Sequence, residues 1–108
     1  MCTGFFAPEM LINGTYHGDK VDIWSAGCIM LELLLGHEKF CDVWMVAYDY
    51  DLCQNKEQFE MAIKETVEQL PEVLNFSAEL NDFILRFLQL RSSRRPTTRA
   101  LCAHAWLE

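Results

Sequence analysis

Apolar residues in this chain recur mainly with a helical period, and no two segments alternate convincingly as a strand pair. Asp19 is placed to cap a first long helix, with Asp22 three residues on in a weak capping box and Gly36 as its stop signal. From Val21 to Leu35 this segment is apolar almost all the way round, and a helix without a polar face belongs in the middle of a larger body. The stretch from Lys56 to Leu70 is its opposite. There Phe59, Ile63, Val67 and Leu70 form one apolar stripe on a charged helix, which Pro71 is expected to end. Ser77 caps a third helix whose buried face is Leu80, Phe83, Ile84, Phe87 and Leu88. An arginine-rich turn then leads through Pro96 into a short last helix, with Leu101 and Ala105, and Cys102 and Trp106, at i, i+4. Cys41 to Asn55 is ambiguous: Trp44 and Tyr48 suit a helix, whereas Tyr48, Tyr50 and Leu52 suit a strand. Helix is preferred, and the fold class is all-α.

Composition places these helices in one globular domain. The 108 residues are 51% hydrophobic and 23% charged, with five Gly and three Pro, which excludes a disordered or fibrous chain. Sixteen acids against nine basic residues give a net charge of -7, so no nucleic acid partner is expected. The acids concentrate between Glu38 and Glu72, where nine stand against three lysines. Five arginines and no acid lie from Arg86 to Arg99, better suited to pairing with internal carboxylates than to a polyanion. The five cysteines (Cys2, Cys28, Cys41, Cys53, Cys102) are scattered, with no C-x-x-C and no His at zinc-ligand spacing, which disfavours a disulfide framework and a metal site. They read as reduced thiols of an intracellular, cytoplasmic protein. The first residues lack the layout of a signal peptide, and the longest apolar stretch is too short to span a bilayer and carries Asp22 and Glu32, so no membrane association is expected.

Three separated motifs then fall into register: Phe5-Phe6-Ala7-Pro8-Glu9-Met10-Leu11; Asp22-Ile23-Trp24-Ser25-Ala26-Gly27; and Arg94-Arg95-Pro96-Thr97-Thr98 with Ala100-Leu101 and His104-Ala105-Trp106-Leu107. In this order and at these spacings they resemble the C-terminal lobe of eukaryotic serine/threonine protein kinases, from the Ala-Pro-Glu motif to the end of the catalytic domain. The stretch from Glu38 to about Asn75 matches only in general layout. Two positions depart from the family pattern: Lys39 stands where a Pro commonly precedes Phe40, and Ala105 replaces the Pro of His-Pro-Trp.

The resemblance implies a partial kinase domain over residues 1–108, a helical bundle around one central apolar helix. It implies that Glu9 pairs with Arg95, and that Asp22 accepts backbone hydrogen bonds from a catalytic loop. Ala7, Pro8, Trp24 and Gly27 complete the structural set. Thr3, Gly4, Phe5 and Phe6 correspond to the substrate-side loop, whose lack of a Trp-containing pattern favours Ser/Thr over Tyr. The usual Thr of that loop would fall on Cys2, with Thr3 one step closer to the motif. ATP and Mg2+ belong to the complete domain; the Gly-rich loop, the phosphate-pairing Lys, His-Arg-Asp and Asp-Phe-Gly do not occur in this chain. No catalytic, cofactor-binding or metal residue is therefore assigned. The chain is expected to be inactive alone and to supply scaffold and docking surface, with a protein substrate or docking partner and the remainder of a kinase domain as partners. The alternative is a stand-alone, non-catalytic interaction module. Among the rest, His104 reads as a packed histidine, His17 and His37 as helix-boundary residues, and Trp44, Tyr48 and Tyr50 as an aromatic lid.

Overall fold

A computed structural model describes residues 6–12, 18–48 and 55–104. Among the described residues six α-helices follow one another: α1 Pro8–Ile12, α2 Gly18–Leu35, α3 His37–Val43, α4 Lys56–Val73, α5 Ala78–Phe87 and α6 Thr98–Cys102. Single 3-10 turns lie at Met45–Tyr48 and Ser92–Arg94. The described residues contain no strand, so the all-α expectation holds.

Helix α2 is the centre of the fold, but it is covered on one side only. Val21, Trp24, Gly27, Cys28 and Leu31 face inward against α3, α5 and the Ser92–Arg94 turn. On the other side, Asp22, Ala26, Ile29 and Leu33 form an exposed stripe at helical spacing, with Ile29 50% and Leu33 79% accessible. The apolar sequence anticipated a surrounded helix. Its neighbours among the described residues come from one direction, and that explains the difference. Asp19 also sits one step inside the helix, in its first turn, instead of capping it.

Gly36 ends α2 as expected. Its φ of 87° lies in a region that side chains resist, and it passes the chain directly into α3: its N–H donates to Glu32 O at 2.9 Å and its carbonyl accepts from Phe40 N at 2.9 Å. The Cys41–Asn55 region resolves into the end of α3 and the Met45–Tyr48 turn, and residues 49–54 lie outside the described set. Trp44 and Tyr48 are no surface lid. Trp44 is fully buried, with ring centroids 5.7 Å from Trp24 and 6.3 Å from Tyr48, and Tyr48 meets Phe59 edge-on at 5.4 Å. Tyr50 lies outside the described residues.

Helix α4 begins where Asn55 Oδ1 accepts from Gln58 N at 3.1 Å, and it buries Phe59, Ile63, Thr66 and Leu70. Thr66 turns inward because its hydroxyl donates to Ala62 O at 2.9 Å, while Val67 is only partly covered. Pro71 does not end this helix, which continues to Val73. In the last turn a proline forfeits a single ladder bond, and the bond from Leu74 N to Leu70 O, at 2.8 Å, is kept. Ser77 caps α5 as anticipated, its hydroxyl accepting from Leu80 N at 3.2 Å, and the anticipated apolar face is buried. Helix α6 is capped by Thr97, buries Leu101 and leaves Cys102 exposed; Ala105 and Trp106 lie outside the described residues.

Gly27 sets the distance between α2 and α5. A Cβ there would stand 2.6 Å from Phe87 Cβ and 3.0 Å from Leu88 Cδ2. Phe87 Cβ is fixed to its own helix backbone, so the helices themselves would have to part. Gly27→Ala is therefore expected to lower stability by about 1–3 kcal/mol from overpacking, despite the better helix propensity of alanine. A urea-unfolding midpoint that stays put or rises in that variant would contradict this account.

Candidate functional site

Phe6 to Glu9 is held at both ends by polar contacts that lead back to α2, while α1 packs against α4. Proline opens α1 at its first position, where the missing N–H is no loss, and Glu9 follows in the first turn. Ala7 is fully buried. The Glu9 carboxylate takes two bonds from the Arg95 guanidinium, Nη1 to Oε2 at 2.6 Å and Nη2 to Oε1 at 2.8 Å. The Arg95 side chain is fully buried and that of Glu9 is 9% exposed.

A buried guanidinium is tolerated only if its donors are used. Arg95 uses all five. Beyond the two bonds to Glu9, Nε donates to Gln89 O at 2.8 Å, Nη1 to Lys20 O at 3.0 Å and Nη2 to Leu90 O at 3.3 Å. The Lys20 ammonium donates in return to Arg95 O at 2.8 Å. The cation also lies over the Trp24 ring, 5.0 Å from its centroid.

Trp24 carries the restraint to the other end of the segment. Its indole N–H donates to the Tyr48 hydroxyl at 3.2 Å, and that hydroxyl donates to Phe6 O at 2.7 Å. One tryptophan on α2 thus separates two anchors, the guanidinium on Glu9 and the phenol on Phe6. Chemically the arrangement can only position: its donors are spent, and none of its groups is a nucleophile or a spare base.

Of the sequence-derived residues, the structure brings together Phe6, Ala7, Pro8, Glu9, Trp24 and Arg95, while Gly27 lies one turn along α2 at the α5 crossing. Asp22 stands apart on the exposed stripe of α2, and among the described residues no group bonds its carboxylate. Thr3, Gly4 and Phe5 lie outside the described residues. Sequence reasoning missed Lys20 and the carbonyls of Gln89 and Leu90, because backbone acceptors leave no trace in residue identity. It also missed the Trp24–Tyr48–Phe6 relay, whose only signal is two aromatic residues with polar handles.

The packed reading of His104 holds. It is buried, its Nε2 lies 2.6 Å from Asp82 Oδ2, and its ring sits 5.1 Å from that of Phe83. A carboxylate only accepts, so the imidazole proton is on Nε2. Arg86 Nε donates to the same Asp82 oxygen at 2.8 Å. These bonds, that of His104 first and that of Arg86 second, hold the Asp82 carboxyl below its ordinary value of 3.8.

The fold and this anchor are compatible with the C-terminal lobe of a kinase, and sequence comparison settles the class. The family model described as protein kinase domain matches residues 1–107, and the chain belongs to that family. It is 31% identical over 105 residues to the calcium/calmodulin-dependent protein kinase cmkA of Emericella nidulans, covering 97% of this chain and 23% of that protein. It is 28% identical to the probable serine/threonine-protein kinase HSL1 of Saccharomyces cerevisiae, covering 93% of this chain and 6% of the other. Against the mitogen-activated protein kinase kinase kinase 2 of Arabidopsis thaliana the identity is 29%, over 95% of this chain and 14% of that protein. The chain thus spans less than a quarter of the length of each of these curated relatives. No solved structure matches it. No described helix is long and apolar enough to cross a membrane.

Two consequences are measurable. Arg95→Met leaves a buried carboxylate and three backbone carbonyls without their partner, and should cost about 3–5 kcal/mol in urea unfolding. Glu9→Gln keeps the shape and leaves Arg95 its three carbonyl bonds, so its loss should be smaller; the reverse order would refute this account of the anchor. The Asp82 tie is fully effective above the ordinary carboxylate value and is lost as pH falls through the lower folded-state value, because the unfolded chain takes up the proton first. Asp82→Asn should therefore destabilise at pH 7 by up to about 1 kcal/mol, modest because Asp82 is half exposed, with the gap to the parent closing as the pH falls below the ordinary carboxylate value. A gap unchanged in acid would count against the tie.

Proposed function

We propose that this chain is the C-terminal-lobe part of a serine/threonine protein kinase domain, supplying scaffold and substrate-side surface without transferring phosphate itself. The observation that carries the reading is the two-ended clamp on Phe6–Glu9. A substrate-side loop over Thr3 to Phe6 needs a rigid exit, and Tyr48 and Arg95, both in contact with Trp24, supply one. The exposed stripe Asp22, Ala26, Ile29 and Leu33 supports the same reading, because an apolar helix face of that length suits the remainder of a kinase domain as its cover. Its acid at the head, Asp22, is free to accept backbone N–H groups of a catalytic loop.

ATP and Mg2+ are the cofactors of the complete domain, where the metal and nucleotide would meet a protein Ser or Thr hydroxyl. The residues present do not fit them. The glycines form no phosphate cradle, and the described residues hold no group of three or more His, Cys, Asp or Glu side chains arranged for a metal ion. Asp19 and Asp22 instead border a cavity of about 460 Å³ whose walls are largely apolar, from Ile23, Phe83, Phe87 and Leu101. No step is assigned to this chain's own residues beyond holding the loop.

Calorimetric titration with ATP and Mg2+ into the millimolar range tests the proposal. The expected result is no saturable binding to the chain alone, and phosphorylation of a Ser/Thr peptide only when it is co-expressed with a segment carrying the Gly-rich loop, the Lys, His-Arg-Asp and Asp-Phe-Gly. Saturable nucleotide binding by the chain alone would overturn the non-catalytic assignment. Failure of any such segment to associate would favour the stand-alone interaction module.

A further inference from the structure

At the junction of α2 and α3, and sharing no residue with the clamp, three side chains form a relay. His37 Nδ1 lies 2.8 Å from Glu32 Oε2, and His37 Nε2 lies 3.6 Å from Cys41 Sγ. The direction of the relay follows from what each atom can do. A carboxylate only accepts, so Nδ1 carries the proton and donates to Glu32, which leaves the lone pair of Nε2 facing the Cys41 thiol. Glu32 reaches His37 because Gly36 turns the chain sharply between the two helices, and His37 reaches Cys41 because i and i+4 share a face of α3. Cys41 is partly exposed and His37 is exposed. A concavity of about 550 Å³ opens beside the imidazole, between Leu35, Lys39 and Asp42. The charged groups around the pair are Glu32 from α2 and Glu38, Lys39 and Asp42 from α3.

We propose that Cys41 is a thiol-modification site, with His37 as its general base and Glu32 as the residue that positions the imidazole. The co-reactant is a small peptide disulfide. His37 Nε2 takes the thiol proton as Cys41 Sγ attacks one sulfur of the disulfide. A new S–S bond forms, the old one breaks, and its electron pair leaves on the second sulfur, which collects the proton from the imidazolium as a free thiol. No net oxidation is required beyond the disulfide consumed.

The other described cysteines supply internal controls. Cys28 is buried, and burial pushes its thiol well above the ordinary range, so it stays unmodified while the chain is folded. Cys102 is exposed, and among the described residues no side chain bonds its sulfur, so it reports the rate of an unassisted thiol. The experiment treats the full chain with oxidised glutathione at neutral pH and follows each cysteine by peptide mass spectrometry. Cys41 is expected to react about tenfold faster than Cys102, a modest effect for base assistance because the relay is open to water. His37→Asn should bring Cys41 down to the Cys102 rate, and Glu32→Gln should give an intermediate fall, with Cys102 unchanged in both. The advantage of the parent over His37→Asn should shrink in alkaline buffer, where hydroxide takes the thiol proton without the imidazole. Cys41 reacting no faster than Cys102, or keeping its rate in His37→Asn, would overturn the proposal. Modification of Cys28 would reveal a variant that has unfolded, and the comparison of Cys41 with Cys102 in the parent chain then decides.

Discussion

The start of the chain, the head of α2 and the exit from α5 are tied together by one cation that water cannot reach. Burying a guanidinium costs several kcal/mol unless its charge is matched and each of its N–H groups finds an acceptor. Arg95 meets that condition with one carboxylate and three backbone carbonyls drawn from three places in the chain: Glu9 at its beginning, Lys20 at the start of α2, and Gln89 and Leu90 just beyond α5. Because a backbone carbonyl cannot move without its helix, satisfying Arg95 fixes α1, the head of α2 and the exit from α5 relative to one another. Lysine would not substitute, since three donors on a single point cannot serve acceptors spread over a planar fork.

The aromatic core extends this constraint. Trp24 is at once the floor beneath the cation, a neighbour of Trp44 and a donor to Tyr48, so the polar anchor and the apolar core share one side chain. The anchor's charge and the core's packing are therefore expected to fail together. A clamp of this kind suits a segment that must present a loop in a fixed place, because Phe6 is restrained through the indole N–H and Glu9 through the cation over the face of the same tryptophan.

Much of this was legible in the residues. Ser77 caps its helix as its chemistry requires, Gly36 stops α2, and the stripe of α5 is buried as its spacing indicates. The Glu9–Arg95 pair, 86 positions apart, could not be read from periodicity and came only through the resemblance of motifs. Pro71 misled because proline breaks helix interiors strongly but last turns weakly, and residue identity does not say which turn it occupies. Trp44 and Tyr48 looked peripheral because the short α3 and the turn after it lack a periodic signal; only the tertiary meeting with Trp24 and Phe59 reveals them as core. The His37–Cys41 pair was not read from the residues, and Glu32 joins it only because the chain turns at Gly36.

The two faces of α2 divide the helix by purpose. On the inner face, Gly27 surrenders a side chain so that Phe87 and Leu88 can approach, and Trp24 and Cys28 fill the remaining space. Close packing of this kind is specific to one neighbour and leaves no latitude for another. The outer face has no such fit: Ala26, Ile29 and Leu33 are apolar without being enclosed, and Asp22 heads the row with its carboxylate exposed. An exposed Leu alone would signify nothing. Three apolar residues in helical register behind an acid make a continuous face, which is the feature on which the proposed cover by the rest of a kinase domain rests. The inner face accounts for how closely α5 approaches α2, and the outer face is where the apolar character of α2 exceeds what the described core uses.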